Sequence, residues 1–150
     1  MSAIADITVF DGASTPVTHT LKAMEVARES GSVTGLWQEL NAAVPASAQI
    51  RAQMKKTTLK SGVVKTELRV VVPVMESILN QNAAGYTAAP KVAYEDTFIL
   101  TSFAHPRSTV TSRRLARMLG VNISNNVSTS VAAATTGPFS EMYDSLVMPT

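Results

Sequence analysis

The chain has no cysteine, which excludes disulfides, thiolate nucleophiles and the thiolate class of structural zinc site. Histidine is nearly as scarce, with only His19 and His105, so a histidine-rich metal centre is excluded too. No apolar run approaches the roughly 18 residues that a membrane span requires. The N-terminus carries neither the basic segment nor the apolar block of a secretory signal, so the chain is expected to stay where it is made. Charge is thin, at 16% of residues. No nucleophile elbow, P-loop or dinucleotide glycine pattern is present. Glu95 and Asp96 are adjacent on an expected strand, so they face opposite sides and cannot act as an acid and base pair on one substrate. No enzyme, cofactor, metal or small-molecule substrate is expected.

What is abundant is small and β-branched. Ala, Val, Thr and Ser number 20, 17, 17 and 15 of 150 residues. That composition suits β-sheet and intersubunit contact better than a freely soluble enzyme surface. The net charge of +2 hides two basic islands. Six basic residues lie between Arg51 and Arg69 against the single acid Glu67, and four arginines lie between Arg107 and Arg117 with no acid. The remainder of the chain is net acidic.

The pattern along the chain is that of one domain, 1–150, with α+β order. Ile4 to Phe10 and Thr15 to Leu21 flank Asp11-Gly12 and read as a hairpin within an N-terminal section, 1–22. Lys22 to Arg28 is open between strand, coil and a helical turn. Val33 to Glu39, with the only tryptophan, reads as a short strand. Two segments then alternate with period two. Arg51, Gln53, Lys55 and Thr57 share one face, with Ile50, Ala52 and Met54 behind. After a turn at Lys60-Ser61-Gly62, Lys65, Glu67, Arg69 and Val71 alternate with Val64, Thr66, Leu68, Val70 and Val72. One face of the hairpin is cationic and the other apolar. Pro73, which cannot donate a ladder hydrogen bond, marks an edge, bulge or kink.

Ser77 to Pro90 is a long amide- and alanine-rich loop, a candidate for a functional contact. Lys91 to Phe103 resumes as a strand that ends at His105-Pro106, closing a sheet section of 23–103. A helix is expected within 107–120, capped by Ser108, with Leu115, Met118 and Leu119 as its apolar stripe and Gly120 at its end. Val121 to Gly137 is uncharged and reads as an extended arm. A last short helix begins at Pro138 and uses Met142, Leu146 and Val147. A twelve-residue helix is only about 18 Å long, too short to roof the sheet. A second copy of the chain is the expected cover.

The basic strands admit two readings, a solvated sheet face or a surface for a polyanion. Tyr94 is either a core aromatic or a base-stacking ring. If its strand pairs with Lys65 to Val71, a ring beside cations is the combination that stacks an unpaired base while neutralising phosphates, and single-stranded or looped RNA is then the ligand. Arg113, Arg114 and Arg117 read as a solvated helix face in preference to an RNA contact. Two other classes stand beside this reading: a non-viral RNA-binding β-protein that does not assemble, and an adhesive surface domain whose basic window serves only solubility.

The order of Ala43 to Pro73 (AVPASAQIRAQMKKTTLKSGVVKTELRVVVP), then KVAYEDTFILTSF, then an arginine-rich helix, resembles the coat proteins of small single-stranded RNA bacteriophages, the levivirus type. The likeness is best at Val44 to Ala46, in the two basic strands, and at Ala93-Tyr94 with Asp96. It implies an N-terminal β-hairpin, a five-stranded antiparallel sheet and C-terminal helices that reach across a partner, forming a dimer with one continuous ten-stranded surface. It implies assembly into a T=3 icosahedral shell around genomic RNA, in the host bacterial cytoplasm, and residence in the virion. It also implies binding of an RNA hairpin at the start of the replicase gene, with translational repression. By position, the RNA-facing residues would be Arg51, Gln53, Lys55, Thr57, Lys65, Glu67, Arg69, Tyr94 and Asp96. Tyr94 would stack on a base, Asp96 would accept from base donors, and the cations would hold phosphates. Ser77 to Pro90 would be the loop at the shell's vertices. Glu67 departs from the pattern, standing where a neutral or basic side chain would serve phosphate better. Val121 to Gly137 is longer than the family's usual link between helices.

Overall fold

A computed structural model describes residues 4–76, 85 and 91–150. Among these, six strands form one antiparallel sheet in sequence order: β1 (Ile7–Phe10), β2 (Thr18–Glu29), β3 (Ser32–Glu39), β4 (Arg51–Thr58), β5 (Val64–Met75) and β6 (Val92–Ala104). The sheet thus has one strand more than the five expected. β2–β3 and β4–β5 are joined by short turns, so their registers are set locally, whereas 40–50, with a 3-10 turn at Ala46–Ala48, separates β3 from β4. At the β2–β3 turn, Gly31 takes φ +79°, and in the β4–β5 turn Gly62 does the same, a conformation that costs a glycine nothing. The segment left open between strand and helix, Lys22 to Arg28, is the body of β2. The tertiary ladder with β3 overrides the helix propensity of its Ala, Met and Glu residues.

Carboxylates pin the N-terminal hairpin. Asp11 accepts from the Val17 and Ala13 amides, closing the β1–β2 connection. Asp6 accepts from Lys22 Nζ at 2.8 Å and from the Ala23 amide. These contacts hold both carboxyls below their ordinary range, chiefly through the Lys22 hydrogen bond for Asp6 and the Val17 amide for Asp11.

One face of the sheet carries the core. Leu21, Trp37, Ala52 and Met54 are buried there, with Leu68, Val70 and Leu100 packed around them. The cover is the chain's own C-terminus. α2 (Pro138–Ser140) runs directly into a π-helical turn at Glu141–Ser145, and Met142, Tyr143 and Met148 seat on the sheet. The Tyr143 hydroxyl donates to the Leu100 carbonyl, and burial pushes its phenol up to about 12. The chain end then passes beside the N-terminus, where the Ile4 amide donates to Thr150 O at 3.0 Å. A second copy is therefore not needed over the centre of the core. The expected roof applies only to the rest of this face, where Val72, Tyr94 and Phe98 stay exposed.

α1 (Val110–Ser124) is longer than expected. Its cap is Thr109, not Ser108, in a capping box with Ser112. Gly120 lies inside the helix, and the helix takes up the first four residues of the expected uncharged arm. Residues 125–137 are irregular and mostly exposed. The loop from Ser77 to Pro90 lies outside the described residues apart from Gly85.

Trp37 folds its indole back over Gly35, its neighbour on the same strand face, and donates Nε1–H to the Ala5 carbonyl at 2.9 Å. A Cβ on Gly35 would come within 2.7 Å of the ring. Gly35→Ala is therefore expected to displace the largest core side chain and to destabilise the fold by about 1–3 kcal/mol. Denaturant unfolding followed by Trp37 fluorescence measures this. An unchanged midpoint and emission maximum would show that the indole has room to move.

Candidate nucleic-acid interface

The β4–β5 ladder pairs Arg51 with Val71, Gln53 with Arg69, Lys55 with Glu67, and Thr57 with Lys65. Directly paired residues lie on the same face, so Arg51, Gln53, Lys55, Thr57, Lys65, Glu67 and Arg69 form one polar surface, as their period-two spacing requires. This is the face opposite the core. β3 extends it with Leu36, opposite Gln53, and Gln38, opposite Arg51.

Tyr94 and Asp96 do not belong to it. The β5–β6 ladder pairs Tyr94 with Val74 and Asp96 with Val72, on the face of Val70, Leu68 and Thr66. A 2.7 Å contact between the hydroxyls of the paired Thr66 and Ser102 pins the same parity from within the core face. The expected alignment of ring and cations is thus corrected: the pairing of the two strands is right, and the parity is opposite. The residues of β6 that reach the cationic face are Glu95, Thr97, Ile99, Thr101 and Phe103. Glu95 and Asp96 do face opposite sides, as adjacency on a strand demands.

Nothing in the sequence sets this parity. β5 and β6 are joined by 77–90 rather than by a tight turn, and the ladder shifts register between Val74 and Met75. Both sets of alternate β6 residues mix apolar and polar side chains, so neither face advertises itself. A signal for Glu95 was available in its charge, complementary to Arg51 two strands away.

The surface's charge is partly neutralised from within. Arg51 pairs with Glu95, and Lys65 Nζ lies 2.6 Å from Glu67 Oε2. Among the described residues, Lys55 and Arg69 make no ion pair. Between β3 and β6 lies a shallow concavity of about 400 Å³, floored by buried Val71 and rimmed by Leu36, Gln38, Arg51, Arg69 and Glu95. The arrangement offers two free cations, two carboxylate-tethered cations and amide donors over an apolar floor. That combination suits an extended polyanion with planar apolar groups.

The second basic island does something neither reading expected. Asp144 and Arg117 side chains are 2% and 5% exposed. Arg117 Nε and Nη2 donate to the two Asp144 carboxylate oxygens at 2.8 and 2.9 Å, and Nη2 also donates to Ala134 O. Arg114 Nε donates to Asp144 Oδ2, and Arg113 Nε to the Asp144 carbonyl. These arginines are a latch between α1 and the C-terminal cover, not a solvated face or a ligand surface. Burial raises the Asp144 carboxyl, but hydrogen bonds and charge from Arg117 and Arg114 outweigh it and leave it below its ordinary 3.8.

The histidines are structural too: His19 Nδ1 lies 3.0 Å from Glu39 Oε1, and His105 Nδ1 accepts from the Arg107 amide. No group of three or more metal-ligating side chains occurs among the described residues, and no helix among them is long and apolar enough to cross a membrane.

A family model described as levivirus coat protein matches residues 2–142. The fold is similar to that in the virus-like particle of bacteriophage EMS014, at 27% identity over 99% of each chain with a TM-score of 0.71. It is also similar to the virus-like particle of bacteriophage ESE058, at 20% identity over 98% of this chain and 99% of that one, TM-score 0.70. The protein capsid of bacteriophage GA shares the fold at 13% identity over 95% and 94% of the two chains, TM-score 0.55. No curated protein sequence matches the chain.

The latch predicts a defined acid response. A carboxyl depressed by folding stabilises the native state above its unfolded value of 3.8 and loses that contribution as pH falls through the lower folded value. Asp144→Asn, which strands a buried guanidinium, is expected to cost about 3 kcal/mol at neutral pH and to flatten the acid limb of the stability curve. Urea denaturation across pH reads both. Parallel wild-type and variant curves below pH 4 would show that Asp144 is not the group responsible.

Proposed function

The chain belongs to the levivirus coat protein family and is a structural protein, not an enzyme; from this premise we propose that it dimerises, closes into a T=3 icosahedral particle and holds single-stranded genomic RNA on the Arg51 to Arg69 sheet face. Its place is then the virion, with assembly in the cytoplasm of the host bacterium. The observation that carries the RNA reading is the β4–β5 ladder, which gathers four cations on one side of the sheet while the chain's own C-terminus occupies the other. A face left open by the described residues and lined with Lys and Arg is the electrostatic footprint of a nucleic-acid surface. The virus-like particles formed by the EMS014 and ESE058 proteins support the shell.

Dimerisation follows from what the fold leaves uncovered. β6 is a thirteen-residue edge strand with one side of its backbone unpaired among the described residues. Beside it lie exposed Val72, Tyr94 and Phe98, and α1 exposes Leu115, Leu119 and Ile123 at i, i+4, i+8 spacing. Antiparallel pairing of two β6 edges would make one continuous sheet and bring each copy's α1 stripe toward the other's Tyr94–Phe98 patch. Tyr94 thus serves the subunit contact. A role for this protein in binding an RNA hairpin and repressing replicase translation is part of the same proposal, with Lys55, Lys65, Arg69 and Arg51 as the phosphate ligands and Gln53 and Thr57 as polar neighbours.

Two experiments test this. Lys55→Ala and Arg69→Ala should each lower the salt dependence of RNA binding by about one phosphate contact and reduce the nucleic-acid absorbance of purified particles, with the dimer intact. Glu67→Gln, which frees Lys65, should act in the opposite direction. Particles that are RNA-free in the wild type would refute the assignment of the face. Phe98→Asp should weaken the dimer at least about ten-fold by placing a charge in an apolar contact, read by sedimentation. A wild-type protein that sediments as a folded monomer and shows no closed shells by electron microscopy would remove the assembly reading.

A further inference from the structure

With Tyr94 on the core face, the cationic face is left with one exposed aromatic ring in β6. Phe103 is directly paired with Lys65, is 65% exposed, and stands in line with Thr101, opposite Glu67, and Ile99, opposite Arg69. Resting on the RNA-face reading above, we infer that Phe103 and Lys65 form a stacking platform for an unpaired nucleobase of single-stranded RNA.

Three physical points support this. A phenyl ring left in water forgoes about 1.5–3 kcal/mol of burial, and although Phe103 borders the cleft between β6 and α1 beside Arg113, Ala116 and Gly120, the described residues leave most of it exposed. Cross-strand partners have Cβ atoms about 5 Å apart, so the Lys65 ammonium, steadied by Glu67, lies within reach of a phosphate attached to a base on the ring. In the proposed dimer, pairing through the β6 edge would occupy the backbone rim and the partner's α1 would approach the Tyr94 face, which would leave the Phe103 ring on the opposite face. A phenyl ring has no donor or acceptor, so the platform takes a base by its π-face and tolerates any sequence. That suits a protein which must hold a whole genome rather than one site.

The test uses the full-length dimer, a fluorescently labelled short oligoadenylate, and an abasic ribose-phosphate oligomer of the same length, with anisotropy measured at several salt concentrations. Phe103→Leu should weaken oligoadenylate binding about ten-fold, leave the salt slope unchanged and leave the abasic oligomer unaffected. Phe103→Tyr should bind as wild type. If Phe103→Leu binds oligoadenylate as wild type while Arg69→Ala weakens both oligomers, the platform is wrong and the RNA face stands. If Arg69→Ala affects neither oligomer, both readings fall. Loss of the dimer in Phe103→Leu would make the ring a subunit contact and overturn the platform.

Discussion

A single sheet has two faces, and among the described residues the chain itself roofs only part of one. The residues after α1 can reach the centre of the core face, where Met142, Tyr143 and Met148 seal Trp37 and Met54. They cannot also cover the other face or the outer edge at β6. That shortfall leaves one cationic surface and one apolar margin exposed among the described residues.

How firmly the cover is held depends on the buried Asp144 and the arginines of α1. A salt bridge this deep is poor evidence of net stabilisation, since desolvation offsets much of the attraction. Its geometric effect is clearer. Arg113, Arg114 and Arg117 converge on one residue of the C-terminal segment and on the Ala134 carbonyl, fixing where the irregular stretch 125–137 must end. A basic island that a linear reading assigns to solvent or ligand is thus consumed in tying the cover to the helix beside it. The functional charge is left to the first island alone. There, half the cations are tethered to carboxylates, Arg51 to Glu95 and Lys65 to Glu67, so the surface is less strongly cationic than its lysines and arginines alone would make it. Such a balance limits self-repulsion between copies.

Legibility differed from element to element for physical reasons. The β4–β5 hairpin was readable because a short turn fixes its register and strict alternation separates its faces. Of the C-terminal helical turn, the start at Pro138 and the Met142 contact are readable from apolar spacing, but Leu146 and Val147 lie beyond the turn and Tyr143 and Met148 make the core contacts in their place. The α1 boundary was missed because Thr109 and Ser108 are both competent caps, and because Gly120 reads as a stop signal although the packed helix tolerates it at about 1 kcal/mol. β2 was open because its local propensity favours helix and only the ladder with β3 decides otherwise.

Residue order alone specifies a β-rich chain with a cationic strand pair, and its order of motifs points to the coat-protein family. It could do so because alternation, turn residues and missing catalytic groups are local properties. Which ring shares a face with the cations, and what the arginines of α1 hold, emerge only once the chain is folded. The first depends on the parity of strands joined by a long connection, where a one-residue slip exchanges the two faces. The second depends on a carboxylate about thirty residues away in the chain, which no local pattern in either segment reveals.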